Sequence, residues 1–166
     1  HPPIHPTRST GEEAMRTEDQ GEMGRGSFCS IGVVGAKTEE NMGTLWRSAF
    51  QLGAALLFTV NARYKPQRTD TLNVPLRLPY MHFDDWSSFA SAAPHQAVLV
   101  GVEMGGTPLE EFEHPARAVY LLGSEDTGLP PSVVQACHHV VTISSERRAS
   151  YNVAVAGSIV LHDRLA

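Results

Sequence analysis

Residues 28–47 read FCSIGVV GAKTEENMGTLWR, and this stretch decides the fold. Phe28–Val34 is a nearly continuous apolar run with little polar alternation, as a strand covered on both faces requires. After the turn at Gly35, Thr38 opens a helical pattern over Glu39–Leu52. The same grammar repeats along the chain. Short runs rich in β-branched or aromatic residues occur at Leu56–Val60, Ala97–Val102, Ala118–Leu122 and Val140–Ile143, each bounded by turn residues. Between or after them, Asp84–Ala92, Pro130–Ala136 and Asn152–Leu165 read as helices. Strand–helix alternation predicts an α/β domain with a mainly parallel sheet flanked by helices.

Length and composition agree. A chain of 166 residues that is 42% hydrophobic and 19% charged is expected to be one globular unit. No apolar run approaches the roughly 18 residues that span a bilayer, and no signal-peptide core is evident. Cys29 and Cys137 are too few for a disulfide framework or a four-cysteine zinc site, so a reduced, cytoplasmic setting is expected. Residues 1–26, rich in Pro, Gly and acidic side chains, read as a flexible tail, and residues 27–166 as the folded domain. The formal net charge of −5 argues against an undifferentiated nucleic-acid coat and leaves room for a local basic patch.

Ligands of parallel sheets sit beyond the carboxyl ends of the strands. Loops expected there are GAKTEENMGTLWR at Gly35–Arg47, LLGSEDTGL at Leu121–Leu129 and ISSERRASYN at Ile143–Asn152. Neither a G-x-G-x-x-G fingerprint nor a Gly-Lys-Ser/Thr phosphate loop occurs, which argues against an ordinary nucleotide-binding enzyme. Each polar residue has a bland role as well. Arg47 reads as a solvated helix cation or a partly buried functional one. Glu125 reads as a brace or cap for the helix at Pro130, and Ser150 as a natural N-cap of the last helix.

Three motifs carry a resemblance. Asn41-x-Gly43-x-x-x-Arg47-x-Ala49, then Leu121-Leu122-Gly123-Ser124-Glu125-x-x-Gly128-Leu129, then Ser150-Tyr151-Asn152-Val153-Ala154-Val155-Ala156 follow one another at fitting separations. In these the chain resembles the SpoU/TrmH-type RNA ribose 2′-O-methyltransferases of the SPOUT superfamily, from about Phe28 to the C-terminus. The resemblance implies a C-terminal trefoil knot, S-adenosylmethionine as cofactor, RNA (tRNA or rRNA) as substrate and a homodimer with its site near the interface. It implies a catalytic set of Asn41, Arg47, Glu125, Ser150 and Asn152. Leu122, Gly123, Ile143, Tyr151 and Asn152 are implied to hold the cofactor. The third loop departs from the family pattern twice: Ser144 stands where Pro is common and Tyr151 where Leu is common.

Methyl transfer to a hydroxyl needs that hydroxyl positioned and deprotonated. None of the eight histidines falls in the three loops; His138 and His139, at a strand entrance, read as structural or surface residues, and beside Cys137 they cannot close a metal site because adjacent strand residues face opposite sides. The resemblance makes Arg47 the candidate base. Since a guanidinium rarely yields its proton, its expected role is to pair with an RNA phosphate, position the 2′-hydroxyl and stabilise oxyanion charge. Proton acceptance by Arg47 or by that phosphate stays open.

Between the second strand and Asp84, RYKPQRTDTLNVPLR sets Arg63, Lys65, Arg68 and Arg77 against the lone Asp70, with Tyr64 among them. This reads as a solvated loop or, with RNA as substrate, a phosphate-contacting one to which Arg147 and Arg148 add. The last helix is apolar on nearly every side, as burial in a monomer core or in core and interface together would require. A catalytically silent RNA-binding module of the same architecture is the alternative function.

Overall fold

A computed structural model describes residues 27–62, 77–93 and 96–166. The expected tail 1–26 and the basic residues Arg63, Lys65 and Arg68 lie outside the described residues.

In chain order the elements are β1 (Phe28–Val34), α1 (Glu39–Gln51), β2 (Leu56–Val60), β3 (Tyr80–Phe83), α2 (Trp86–Ala92) and β4 (Val98–Pro108). A 3-10 turn at Leu109–Glu111 leads to β5 (Arg117–Gly123), α3 (Pro131–Ala136), β6 (His139–Thr142) and α4 (Val153–Leu165). The six strands form one sheet in the order β3-β2-β1-β5-β4-β6, and every pairing is parallel. The parallel α/β expectation holds.

Both faces of the sheet are covered, which is why β1 and β5 carry almost no polar side chains. On one face Ile31, Val33, Leu57 and Tyr120 pack against Leu45 and Ala49 of α1 and Val160 and Leu161 of α4. On the other, Phe58, Val60, Val119 and Leu121 meet Phe89 of α2 and Val133 of α3. Full burial of one such Leu or Ile contributes about 1.5–3 kcal/mol. The helix α4 can lie this close because Gly157 has no side chain: a Cβ there would come within 2.5 Å of Leu45 Cδ1.

Four details depart from the sequence reading. The strand expected to stop at Val102 continues to Pro108 through a register shift between Val102 and Thr107. Gly105, at φ +83°, supplies the turn that the bulge needs. β3 was not anticipated: it is an edge strand of four residues with Met81 46% exposed, so it lacks a doubly buried run. α2 starts at Trp86 because the Asp85 carboxylate caps it, accepting from Ser88 N at 2.7 Å. α4 is capped by Asn152, which displaces Ser150 from the expected cap.

At the amino end of the sheet, α4 is pinned by Arg164. Its guanidinium donates to the carbonyls of Pro115 (2.6 Å) and Ala116 (2.9 Å) and to the Tyr120 hydroxyl (3.1 Å). His114 bridges Tyr120 and Asp163, at 2.6 Å to each. His138 takes the structural role expected of it: its Nδ1 accepts from Leu99 N at 2.9 Å.

Candidate active site

The three loops singled out in the sequence do meet. They follow β1, β5 and β6, and β5 lies beside β1 while β6 is two positions further across, with β4 between. The loop after β5 is tightly folded: Ser124 Oγ bonds Thr127 Oγ1 at 2.7 Å, and Gly128 N donates to Ser124 O at 2.9 Å.

Asn152 joins the loops, and its role as a cap dictates how. Its Oδ1 accepts from Ala154 N at 2.9 Å and Val155 N at 3.3 Å, supplying partners to amides at the start of α4. That fixes the amide orientation and leaves Nδ2 pointing outward. Nδ2 donates to Glu125 Oε1 at 2.8 Å and to Asn41 Oδ1 at 2.9 Å. Asn41 Nδ2 closes the triangle on Glu125 Oε1 at 3.1 Å. Residues from three distant parts of the chain thus share one hydrogen-bonded cluster. Glu125 does not cap the following helix: α3 begins at Pro130-Pro131 without a side-chain cap.

Beside the cluster opens a cleft of about 90 Å³. Leu122, Gly123, Glu125, Ile143, Ser150 and Tyr151 all line it, as do Val102 and Ala156. The two departures in the third loop are linked to each other, since the Tyr151 hydroxyl donates to the Ser144 carbonyl at 2.8 Å. The larger side chain therefore braces its own loop. Ser144 also bonds Glu110, whose carboxyl is held below its usual range by its own backbone amide first and by Ser144 second.

Glu103 was missed by the sequence reading. It stands on the bulged part of β4 and lines the cleft. Its Oε2 accepts from Leu129 N at 2.8 Å and its Oε1 from Met104 N at 2.9 Å, tying β4 to the loop after β5. Gly128, at φ +66°, makes room: a Cβ there would fall 2.4 Å from Glu103 Oε2. A lone carboxylate at a strand's carboxyl end in the Gly-flanked run VGVEMGG was the signal available.

Arg47 is not joined to the cluster. Six residues beyond Asn41, it lies about 9 Å along α1 and about 120° around it. It is exposed instead of partly buried, while its neighbour Trp46 packs inward, stacked on Tyr80 with ring centres 5.1 Å apart. Arg147 and Arg148 are exposed in the loop after β6, and Arg77 is exposed before β3. No group of three or more metal-ligating side chains occurs among the described residues, and no helix among them is long and apolar enough to cross a membrane.

Open parallel sheets hold ligands over the carboxyl ends of their strands, and this cleft places the chain among α/β domains built to hold a small organic molecule there. More narrowly, the chain belongs to the SpoU rRNA Methylase family, whose sequence profile matches residues 29–162. No curated protein matches significantly. Among solved structures, the SpoU methyltransferase AviRb from Streptomyces viridochromogenes superposes with a TM-score of 0.71 at 23% identity, over 83% of this chain and 58% of that one. The A. aeolicus TrmH/SpoU tRNA modifying enzyme gives 0.72 at 17% identity, over 88% and 82%. A structure concerned with 2-OH methylation of C/U34 on tRNA gives 0.74 at 20% identity, over 84% and 95%. The chain therefore spans less than two thirds of the AviRb chain. At these identities the superpositions establish a shared fold.

Proposed function

We propose that residues 27–166 form a methyltransferase domain that moves a methyl group from S-adenosylmethionine to a ribose 2′-hydroxyl of tRNA or rRNA. The observation that carries this reading is the Asn41–Glu125–Asn152 cluster at the rim of the cleft. Family membership supports it, as do AviRb, whose structure has been solved in complex with AdoMet, and the relative concerned with 2-OH methylation on tRNA.

The cleft's chemistry fits the cofactor. Apolar walls from Val102, Leu122, Ile143 and Ala156 suit an aromatic base and a sulfonium's alkyl arms, while Glu103, Ser124 and Thr142 supply polar contacts. Bound there, S-adenosylmethionine supplies an activated methyl group whose positive charge disperses on transfer, a step that a dry pocket favours. Leu122, Gly123, Ile143, Tyr151 and Asn152 hold it in this reading. Glu125 and the two asparagines orient the acceptor ribose, with Ser150 beside them. Arg47 pairs with a phosphate and stabilises charge developing on the 2′-oxygen. Its exposure suits that task. Arg63, Lys65, Arg68 and Arg147 extend the phosphate contacts. The working form is a cytoplasmic homodimer.

Calorimetry with S-adenosylmethionine, followed by transfer of its labelled methyl group to bulk unmodified tRNA and rRNA, tests the proposal. Label recovered as 2′-O-methylnucleosides is the expected result. Binding of RNA without binding of S-adenosylmethionine would instead identify a silent RNA-binding module.

A further inference from the structure

A second cavity, of about 190 Å³, also borders Glu125. Ala36 and Lys37 of the loop after β1, Asn41 and Met42 of α1, and Asp126 wall it. The two cavities share Ser124, Glu125 and Val153. Methyl transfer brings a donor and an acceptor together at one carbon, and a donor in one cavity and an acceptor in the other would meet at the Glu125 carboxylate that both share.

The charge inside this second cavity is unusual for a place that must receive RNA. Lys37 is its one cation among the described lining residues, set against Glu125 and Asp126. The Lys37 ammonium is ion-paired with the Asp126 carboxylate. The two side chains are 30% and 61% exposed, so the pair contributes about 0–1 kcal/mol and exchanges easily. A phosphate accepts stronger, charge-assisted hydrogen bonds from an ammonium.

Resting on the methyltransferase reading above, we infer that this second cavity seats the acceptor nucleotide of the RNA and that Lys37 binds its phosphate on release from Asp126. Asp126 stands in for the phosphate in the free protein and competes with it. Its removal therefore strengthens RNA binding even though an ion pair is lost. A purely structural ion pair would give the opposite sign, because losing either partner would then weaken the site.

The test compares wild type, Lys37→Ala and Asp126→Asn. Each is titrated with a short fluorescent unmodified RNA hairpin in saturating S-adenosylhomocysteine over a range of salt, and each is titrated separately with S-adenosylmethionine. Lys37→Ala should weaken RNA binding about tenfold, the scale of one charge-assisted contact. It should also lower the salt slope by about 0.7–0.9. Asp126→Asn should tighten RNA binding about two- to fivefold, and neither change should move the S-adenosylmethionine affinity. Unaltered RNA affinity in Lys37→Ala, or weaker RNA binding in Asp126→Asn, with cofactor affinity intact, overturns the inference alone. A wild type that binds the cofactor but no RNA overturns the functional reading, and the inference falls with it.

Discussion

The Asn152 side chain caps α4 through its carbonyl oxygen and donates to Glu125 Oε1 at 2.8 Å through its amide nitrogen. One residue thus does two separable things, and substitution can divide them. Asn152→Ser keeps a good N-cap and removes the donor, so unfolding stability should stay within about 0.5 kcal/mol of wild type. Methyl transfer should nevertheless fall sharply, because Glu125 and Asn41 lose the group that aligns them. Asn152→Ala should lose about 1 kcal/mol as well. Urea unfolding and single-turnover transfer on the same preparations separate the two effects. Full activity in the serine variant would show that the cluster does not align the reacting groups.

Gly128 faces the carboxylate that ties β4 to the loop after β5. An alanine there would strain the positive φ and press on Glu103 Oε2, 2.4 Å from the added carbon. The expected cost is about 1–3 kcal/mol in stability, with weaker S-adenosylmethionine binding because the loop lines the cleft. Glu103→Ala should give the same binding defect without backbone strain, through the unpaired Leu129 amide. Calorimetry on both variants checks this. Normal cofactor affinity in Glu103→Ala would remove Glu103 from the site.

Cys137 gives a pH dependence. Burial pushes its thiol up to about 11, with a backbone hydrogen bond from Gly101 working the other way. The folded state therefore keeps the proton that the unfolded chain gives up near pH 9. The unfolded state binds fewer protons in that interval, so stability falls as pH rises from about 9 to about 11. Below pH 9 the contribution is constant. Cys29, also raised by burial, adds in the same direction. Urea midpoints measured across this interval should fall less steeply in Cys137→Ser than in wild type. Parallel slopes would show that the thiol ionises normally in the fold.

How far the sequence could be read depended on what surrounds each residue. Phe28–Val34 and Leu56–Val60 match the structure residue for residue because strands covered on both faces are nearly continuous apolar runs, with Ser30 and Thr59 the polar residues buried in them. Tyr80–Phe83 has only one neighbouring strand and exposed side chains, so no such pattern marks it. β4 looked finished at Val102 because Gly105-Gly106 imitates a turn, and that hid Glu103. Asn41, Glu125 and Asn152 are separated by up to 111 positions. No local pattern could join them, and only the family resemblance pointed to all three. The exposure of Arg47 was equally invisible, since helical periodicity places it beside buried Leu45 and Ala49 without saying which way it turns.

The same helix that Asn152 caps bears on subunit assembly. Val153, Ala154, Ala156, Gly157, Val160 and Leu161 are buried in the core, so most of its apolar character serves the single chain. Val155, one turn beyond Asn152, is 47% exposed, and Leu165 at the far end of the helix 66%. In the proposed homodimer a second copy of the chain would cover Val155. If the homodimer forms through this face, Val155→Asp should shift the mass from dimer to monomer in light scattering at micromolar concentration. The exposed position should hold the change in stability to about 0.5 kcal/mol. S-adenosylmethionine binding would then report whether the cleft needs its neighbour: a monomer that still binds the cofactor has a complete cleft in one chain. A wild type that is already monomeric would end the dimer proposal, and a dimer indifferent to Val155→Asp would move the interface elsewhere.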